Sequence, residues 1–273
     1  MLTEILQLEF LQYAFILRAF QAGIIIAIIA PLIGIFLVLK RYSLIADTLS
    51  HVSLAGIAVG LLLKINPIFT ALATTVLASL GIEKLRSSKK VYGESALSIF
   101  LSGSLALAIV LLGLGKNINA NLFNYLFGSI LTITQNDIFI IAILGVFIFI
   151  MIYLNYKALV FSTFDEEVAK TSGIKVKRLN QMLIVLSALT ISISIPIVGV
   201  LLIASLIVIP TVTALQLKKN FTQTIIFAEL FSIFSVIFGI ILSFYLNTAT
   251  GGTIVLLMLA IFLFVFLYKN INK

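Results

Sequence analysis

Asp47 and His51 lie four residues apart in the stretch Ser43-Leu44-Ile45-Ala46-Asp47-Thr48-Leu49-Ser50-His51. On a helix, residues at i and i+4 share one face, so this spacing brings a carboxylate and an imidazole together. Oxygen plus nitrogen is a donor pair suited to Zn²⁺, Mn²⁺ or Fe²⁺. Two ligands make a weak, open site, and two copies of the chain would supply four. Weak binding suits a protein that has to release its cargo. The competing reading is that the two groups hydrogen-bond each other or a neighbouring helix, as polar residues inside membranes often do. Imidazole binds metal only when neutral, so transport through such a site is expected to weaken below roughly pH 6.5, the general imidazole range.

Other polar groups in apolar surroundings are fewer. Ser187, Thr190, Ser192 and Ser194 make one side of a later apolar run polar, which fits either a cavity lining or interhelical hydrogen bonds. Glu229 stands inside another run, where snorkelling or pairing with a neighbouring helix is expected more than ion binding. Gly56 and Gly60 have the spacing that lets helix backbones approach closely. Several enzyme classes lack their residues. There is no GxxxxGK[ST], no HExxH and no GxSxG, which removes the simplest NTPase, metalloprotease and serine hydrolase readings. With no cysteine, there is neither a thiol nucleophile nor a zinc knuckle. No permanently bound cofactor is expected, and any energy source has to come from another subunit.

The elements that would position Asp47 and His51 follow from composition. Of 273 residues, 62% are hydrophobic and 10% charged, against about 25% charged in an ordinary soluble domain. The apolar residues come in runs of about twenty, enough for a helix to cross roughly 30 Å of hydrocarbon. The expected fold is all-α, a single polytopic membrane domain over residues 1–273. Spans are expected at 20–39, 43–63, 67–83, 94–115, 137–156, 181–196, 200–217, 223–246 and 251–268. The count falls to eight if two short spans fuse or one is re-entrant, and Pro196, Gly199 and Pro210 make 181–217 the place for it. Residues 1–19, with Phe10, Tyr13 and Phe15, read as a short interfacial helix. The outer stretch 116–136, rich in asparagine and aromatics, is expected to pack at the interface or dip back.

The net charge of +8 is not gathered into a nucleic-acid-binding domain. Fifteen Lys and Arg fall in one set of inter-span loops, and only Arg18, Lys64 and Lys116 in the other. The positive-inside rule then places the C-terminus in the cytoplasm and the N-terminus outside. Between the fifth and sixth spans, the cytoplasmic segment 158–180 carries Phe164-Asp165-Glu166-Glu167-Val168-Ala169-Lys170-Thr171-Ser172-Gly173. Acidic residues first, a basic one later and a closing glycine suit a short helix whose charges complement its dipole.

The run from Arg41 through Asp47 and His51 to Gly56 resembles the second-span signature of the zinc/manganese/iron type of ABC permease. Tyr125-Leu126-Phe127-Gly128-Ser129-Ile130-Leu131, Asp165 through Ile174, and Gly199 through Ala214 are similar to three further motifs of that family, in the same order. The resemblance implies a homodimeric permease in a bacterial cytoplasmic membrane, served by a cytoplasmic ATP-binding subunit and an extracytoplasmic metal-binding protein. It implies that Asp47 and His51 take part in metal passage. It also implies that Phe164, Asp165, Glu166, Glu167, Ala169 and Gly173 belong to a coupling segment seated on the ATPase. Relatives often carry an acidic residue where this chain has Ser129, so no accessory ligand is expected there. Manganese and iron relatives often have a proline before the glycine where this chain has Ala55 and Gly56, which leans toward Zn²⁺ over Mn²⁺ or Fe²⁺. Two rivals remain: an ABC permease for a metal chelate such as a siderophore, and a secondary carrier with no ATPase.

Overall fold

Long apolar runs without internal polar breaks fold into helices because, in lipid, only internally bonded backbone is tolerated. The structure is a computed structural model that describes residues 13–87, 92–114, 124–129, 131 and 133–271. Its helices are α1 Ala14–Leu39, α2 Ser43–Leu63, α3 Pro67–Ser87, α4 Gly93–Leu114, α5 Gln135–Phe164, α6 Glu166–Thr171, α7 Val176–Val198, α8 Ile203–Gln216, α9 Phe221–Leu246 and α10 Thr250–Ile271. Eight of them are long and apolar enough to cross a membrane, and α8, with 14 residues, is shorter. At 1.5 Å per residue α8 is only about 21 Å long. The span expected at 200–217 is therefore a part-length helix.

What α8 lacks is made up by irregular backbone at its start. Val200 N–H donates to the Tyr125 carbonyl at 2.9 Å, Leu201 N–H to Leu126 at 3.2 Å, and Ser129 N–H to Pro196 at 3.1 Å. The break between α7 and α8 is thus paired with the 124–129 segment, which gives both stretches of irregular backbone hydrogen-bond partners. The contact is close enough to need glycine. Gly128 (φ 75°) and Gly199 (φ 82°) face each other across it, and a Cβ on Gly199 would meet the Gly128 nitrogen and the Phe127 carbonyl carbon at 2.5 Å. The dip-back expected of the outer stretch is seen at 124–129; its earlier part, 116–123, lies outside the described residues.

Two boundaries differ from expectation. The segment 14–19 is the first part of α1, with Ile16 and Ala19 buried, and is not a separate interfacial helix. Arg18 does not break it, because its Nε donates to the Ala14 carbonyl at 3.2 Å within the same helix. Residues 1–12 of that expected element lie outside the described residues. The segment 158–180, expected to be cytoplasmic, begins inside α5, which runs on to Phe164. A 30-residue helix is about 45 Å long and simply projects beyond the hydrocarbon. Lys157 marks a depth and not a helix end. At its other end α5 starts with a capping box, Thr134 N–H donating to Asp137 Oδ2 at 2.9 Å and Asp137 N–H to Thr134 Oγ1 at 3.2 Å.

α2 lies between α3, α4 and α7, and α1 packs on α5, α8 and α9. The α2–α3 contact is intimate, since a Cβ on Gly56 would run into Ala71 Cα at 2.7 Å. That is the close packing expected of Gly56.

Candidate functional site

α2 starts immediately after a tight turn. Arg41 has φ 60°, its N–H donates to the Val38 carbonyl at 3.0 Å, and Tyr42 N–H donates to Leu37 at 2.7 Å. This is the Schellman closure of α1, built with arginine where glycine is usual. Four residues into α2 comes Asp47 and eight residues in comes His51, about 6 and 12 Å from the helix start.

The pair is on one face, as the spacing requires. His51 Nε2 is 3.8 Å from Asp47 Oδ1, which is too long for a hydrogen bond. His51 Nδ1 is sealed from solvent and has no hydrogen-bond partner among the described residues. The reading in which the two groups merely bond each other therefore lacks its bond. Two donors on one tetrahedral ion, each about 2.1 Å from it, stand about 3.4 Å apart. The observed gap of 3.8 Å closes to that by a small side-chain adjustment. The face is also open. The Asp47 side chain is 46% exposed and His51 16%, and Leu44, one turn earlier, is 57% exposed. Among the described residues no cluster of three or more His, Cys, Asp or Glu forms, so one chain offers this site two ligands only.

The segment 158–180 is organised around α6. Asp165 caps it, accepting from Val168 N–H at 2.9 Å. Lys170 Nζ meets Glu166 Oε1 at 2.8 Å across one turn. This hydrogen bond, chiefly, holds the Glu166 carboxyl below the usual carboxylate range, with burial opposing it. Ala169 is fully buried beneath the helix, while Phe164, Glu167 and Val168 face outward. Gly173, at φ 84°, ends the segment in open space. Six expected coupling residues thus divide into an exposed contact set (Phe164, Glu167), a helix-forming set (Asp165, Glu166, Gly173) and a seat (Ala169).

Residues not singled out in the sequence surround α6. Lys40 Nζ donates to the Ser162 carbonyl at 3.0 Å, to Ser162 Oγ at 3.4 Å and to Asn180 Oδ1 at 3.0 Å. Burial pushes the Lys40 ammonium below the ordinary lysine range, and nearby Glu166 pulls it back. The Arg86 guanidinium carbon sits 3.7 Å from the Tyr42 ring centroid, with Nη2 donating to Tyr42 Oη at 2.5 Å and Nε 3.3 Å from Glu83 Oε2. Burial, chiefly, pushes the Tyr42 phenol up. The sequence signal of Lys40 and Arg86 was only that of positive charge near span ends, since the Arg86–Tyr42, Lys40–Ser162 and Lys40–Asn180 contacts join residues 44 to 140 apart. The Arg86–Glu83 contact is local to α3.

The remaining candidates do not join the site. Ser187, Thr190, Ser192 and Ser194 are fully buried, and each donates to a carbonyl four residues back on α7. Their donors are used within their own helix, so the interhelical hydrogen bonds open to them from sequence are not made. Glu229 lines a groove of about 740 Å³ with Leu32 of α1 and Lys157 of α5, away from α2. It has no ion pair among the described residues.

The ABC 3 transport family model matches residues 12–269. A protein of Treponema pallidum named as a probable metal transport system membrane protein is 41% identical over 92% of this chain and 96% of its own length. The high-affinity zinc uptake system membrane protein ZnuB of Haemophilus influenzae is 32% identical over 87% of this chain and 91% of its own. Other relatives bear the names of manganese and iron transport membrane proteins. Among solved structures, PsaBC from Streptococcus pneumoniae in complex with Fab superposes with a TM-score of 0.86 at 30% identity, covering 97% of this chain and 95% of that one. The matched relatives are named as membrane proteins of metal transport systems, and the matched structure shares the all-α fold described above. This chain belongs to the ABC 3 transport family.

Proposed function

We propose that the chain is the permease of an ABC importer for a divalent metal ion, with Zn²⁺ as the first candidate and Mn²⁺ or Fe²⁺ as alternatives. The observation that carries this is the pair Asp47 and His51, 3.8 Å apart on an open face of α2. Oxygen plus imidazole nitrogen is donor chemistry for these ions. The family, with relatives named for zinc, manganese and iron transport, supports the same reading.

The face of Leu44, Asp47 and His51 is a part of α2 that the chain's own helices leave partly uncovered. A second copy, related by a two-fold axis, brings a second carboxylate and imidazole to the same place and completes four ligands. ATP binding by a cytoplasmic subunit seated on Phe164 and Glu167 of α6 then opens and closes the path around that centre. An extracytoplasmic binding protein delivers the ion to the opposite face, where 124–129 meets the start of α8. The host is a bacterial cytoplasmic membrane with the C-terminus inside, in keeping with the fifteen-to-three partition of basic residues and the positive-inside rule.

The test is uptake of radioactive Zn²⁺, Mn²⁺ and Fe²⁺ into proteoliposomes holding this chain with its ATPase and binding protein. Accumulation that requires ATP and all three components supports the reading. Accumulation by this chain alone identifies a secondary carrier instead. Uptake confined to a bulky chelate, with free ions ignored, moves the cargo class.

A further inference from the structure

We propose that the Lys40–Arg41–Tyr42 turn is the mechanical link that carries displacement of α6 to the Asp47/His51 segment of α2. This rests on the importer reading and names the residues through which one partner's motion would reach the ligands.

Four observations converge on the turn. It has no slack, because Arg41 is held in the left-handed region by the Schellman bonds to Val38 and Leu37. For a non-glycine residue that conformation is sterically disfavoured, so the surrounding contacts hold it in place. Lys40 bonds both flanks of α6 at once, Ser162 in the last turn of α5 and Asn180 in the second turn of α7. A lysine that only marked topology would sit in water; this one is half-buried and has three acceptors. Tyr42 is clasped by Arg86 at the cytoplasmic end of α3. A cleft of about 300 Å³ shared by Tyr42, Arg86, Glu166 and Lys170 separates the clasp from α6 itself.

α2 begins one residue after Tyr42, with Ile45 N–H donating to the Tyr42 carbonyl at 2.9 Å, and runs without a break through Asp47 and His51. A helix transmits a push at its first turn to the second and third with little loss. When the ATPase shifts α6, the ends of α5 and α7 shift with it, Lys40 follows them, and the ligand pair moves relative to the second copy. Arg86 and Tyr42 set the pivot on the α3 side.

The experiment measures metal ions transported per ATP hydrolysed by the complete transporter in proteoliposomes. Lys40→Met and Asn180→Leu are each expected to lower that ratio by about tenfold, the effect of losing one hydrogen bond to a charged group. The ATPase rate itself should change by less than about twofold. The double variant should be no worse than either single one, because both cut the same link. Asn180→Asp, which keeps an acceptor for Lys40, should retain the wild-type ratio. An unchanged ratio in both single variants overturns the link, as do multiplicative effects in the double variant. ATPase activity falling in step with transport, or failure of both variants to reach the membrane, makes Lys40 a docking or folding contact and equally overturns it. The wild-type control separates the two levels: no ATP-driven metal transport there sinks the importer reading, whereas transport with insensitive variants sinks only the link.

Discussion

His51 Nε2 stands 3.8 Å from Asp47 Oδ1, with neither atom satisfied by the other and the second ring nitrogen buried without a partner among the described residues. Unsatisfied polar groups inside a span are expensive, and where they persist they usually serve a substrate path. Asp47→Ala and His51→Ala are each expected to reduce metal uptake at least about tenfold, since even outer-shell partners of a metal are worth that much. Asp47→Asn should do the same while keeping the side-chain volume. Membrane levels and ATPase association serve as controls. Undiminished uptake in both alanine variants would reduce the pair to packing.

If the open face of α2 meets a second copy, then Leu44 lies at or near that contact. The chain has no cysteine of its own, so a single introduced thiol gives an unambiguous report. Leu44→Cys in native membranes should form dimers with a short bifunctional maleimide. Leu154→Cys, more exposed at 71% against 57% for Leu44 but on α5, should remain monomeric under the same treatment. Cross-linking at position 154 and not at 44 would place the dimer contact on another face.

The spans and the juxtaposition of Asp47 and His51 were legible because their signals are local: runs of apolar residues, and a carboxylate and histidine four apart inside one of them. The part-length α8 was half legible, since Pro196, Gly199 and Pro210 announce a break without saying what backbone pairs with it. The extension of α5 was missed because a lysine in an apolar run reads as the membrane boundary, although a helix can continue past it into water. Lys40, Tyr42 and Arg86 were invisible as a unit. Hydropathy and charge counting treat each basic residue as a mark of sidedness, whereas the roles of Lys40 and Tyr42 depend on Ser162, Asn180 and Arg86, which no spacing rule connects to them. The Glu83–Arg86 pair, at i and i+3 on α3, is the one local part of the unit. The turn that holds them also hides itself, because Arg41 occupies a position where a glycine would have signalled the Schellman closure.

Gly199→Ala is expected to destabilise the protein by about 2 kcal/mol or more, because φ 82° with ψ 158° is accessible essentially to glycine alone. The added methyl would also collide with the backbone of 127–128. Gly252→Ala is the matched control, as a Cβ there meets nothing within 4 Å and alanine favours the helix. Thermal unfolding in detergent should show a clear drop for the first and none for the second. Equal melting temperatures would mean that the junction between 124–129 and the α7–α8 break is not held as described.

The Glu166 carboxyl is held below its ordinary range chiefly by the Lys170 hydrogen bond. A depressed carboxyl contributes stability that is present above its unfolded value, about 4.3, and lost as pH falls through the folded one. Order in α6 should therefore be constant above about pH 5 and decline below about pH 4. The pair is well exposed, so the decline in amide-exchange protection should be no more than a few-fold. Glu166→Gln should remove the dependence and show the low-pH level of protection throughout. A variant that kept the wild-type profile would assign the effect to another group.

The polar side of α7 supplies the sharpest contrast with the Asp47 and His51 pair. Four hydroxyls in one span invite the idea of a hydrophilic path, yet every one of them donates back to its own helix and none is exposed. A hydroxyl bonded to the carbonyl four residues back costs the helix little and offers a passing ion only its spare lone pair. Thr190→Val, nearly the same shape, and Ser192→Ala should therefore leave metal uptake within about twofold of wild type, since each removes a local bond of modest net worth. The comparison is informative because both residues are more deeply buried than Asp47. If burial alone predicted function, they would matter more than the carboxylate; if donor chemistry and access matter, they should be nearly silent. Loss of uptake in either variant as severe as in Asp47→Ala would move the ion path from the open face of α2 to the interior of α7.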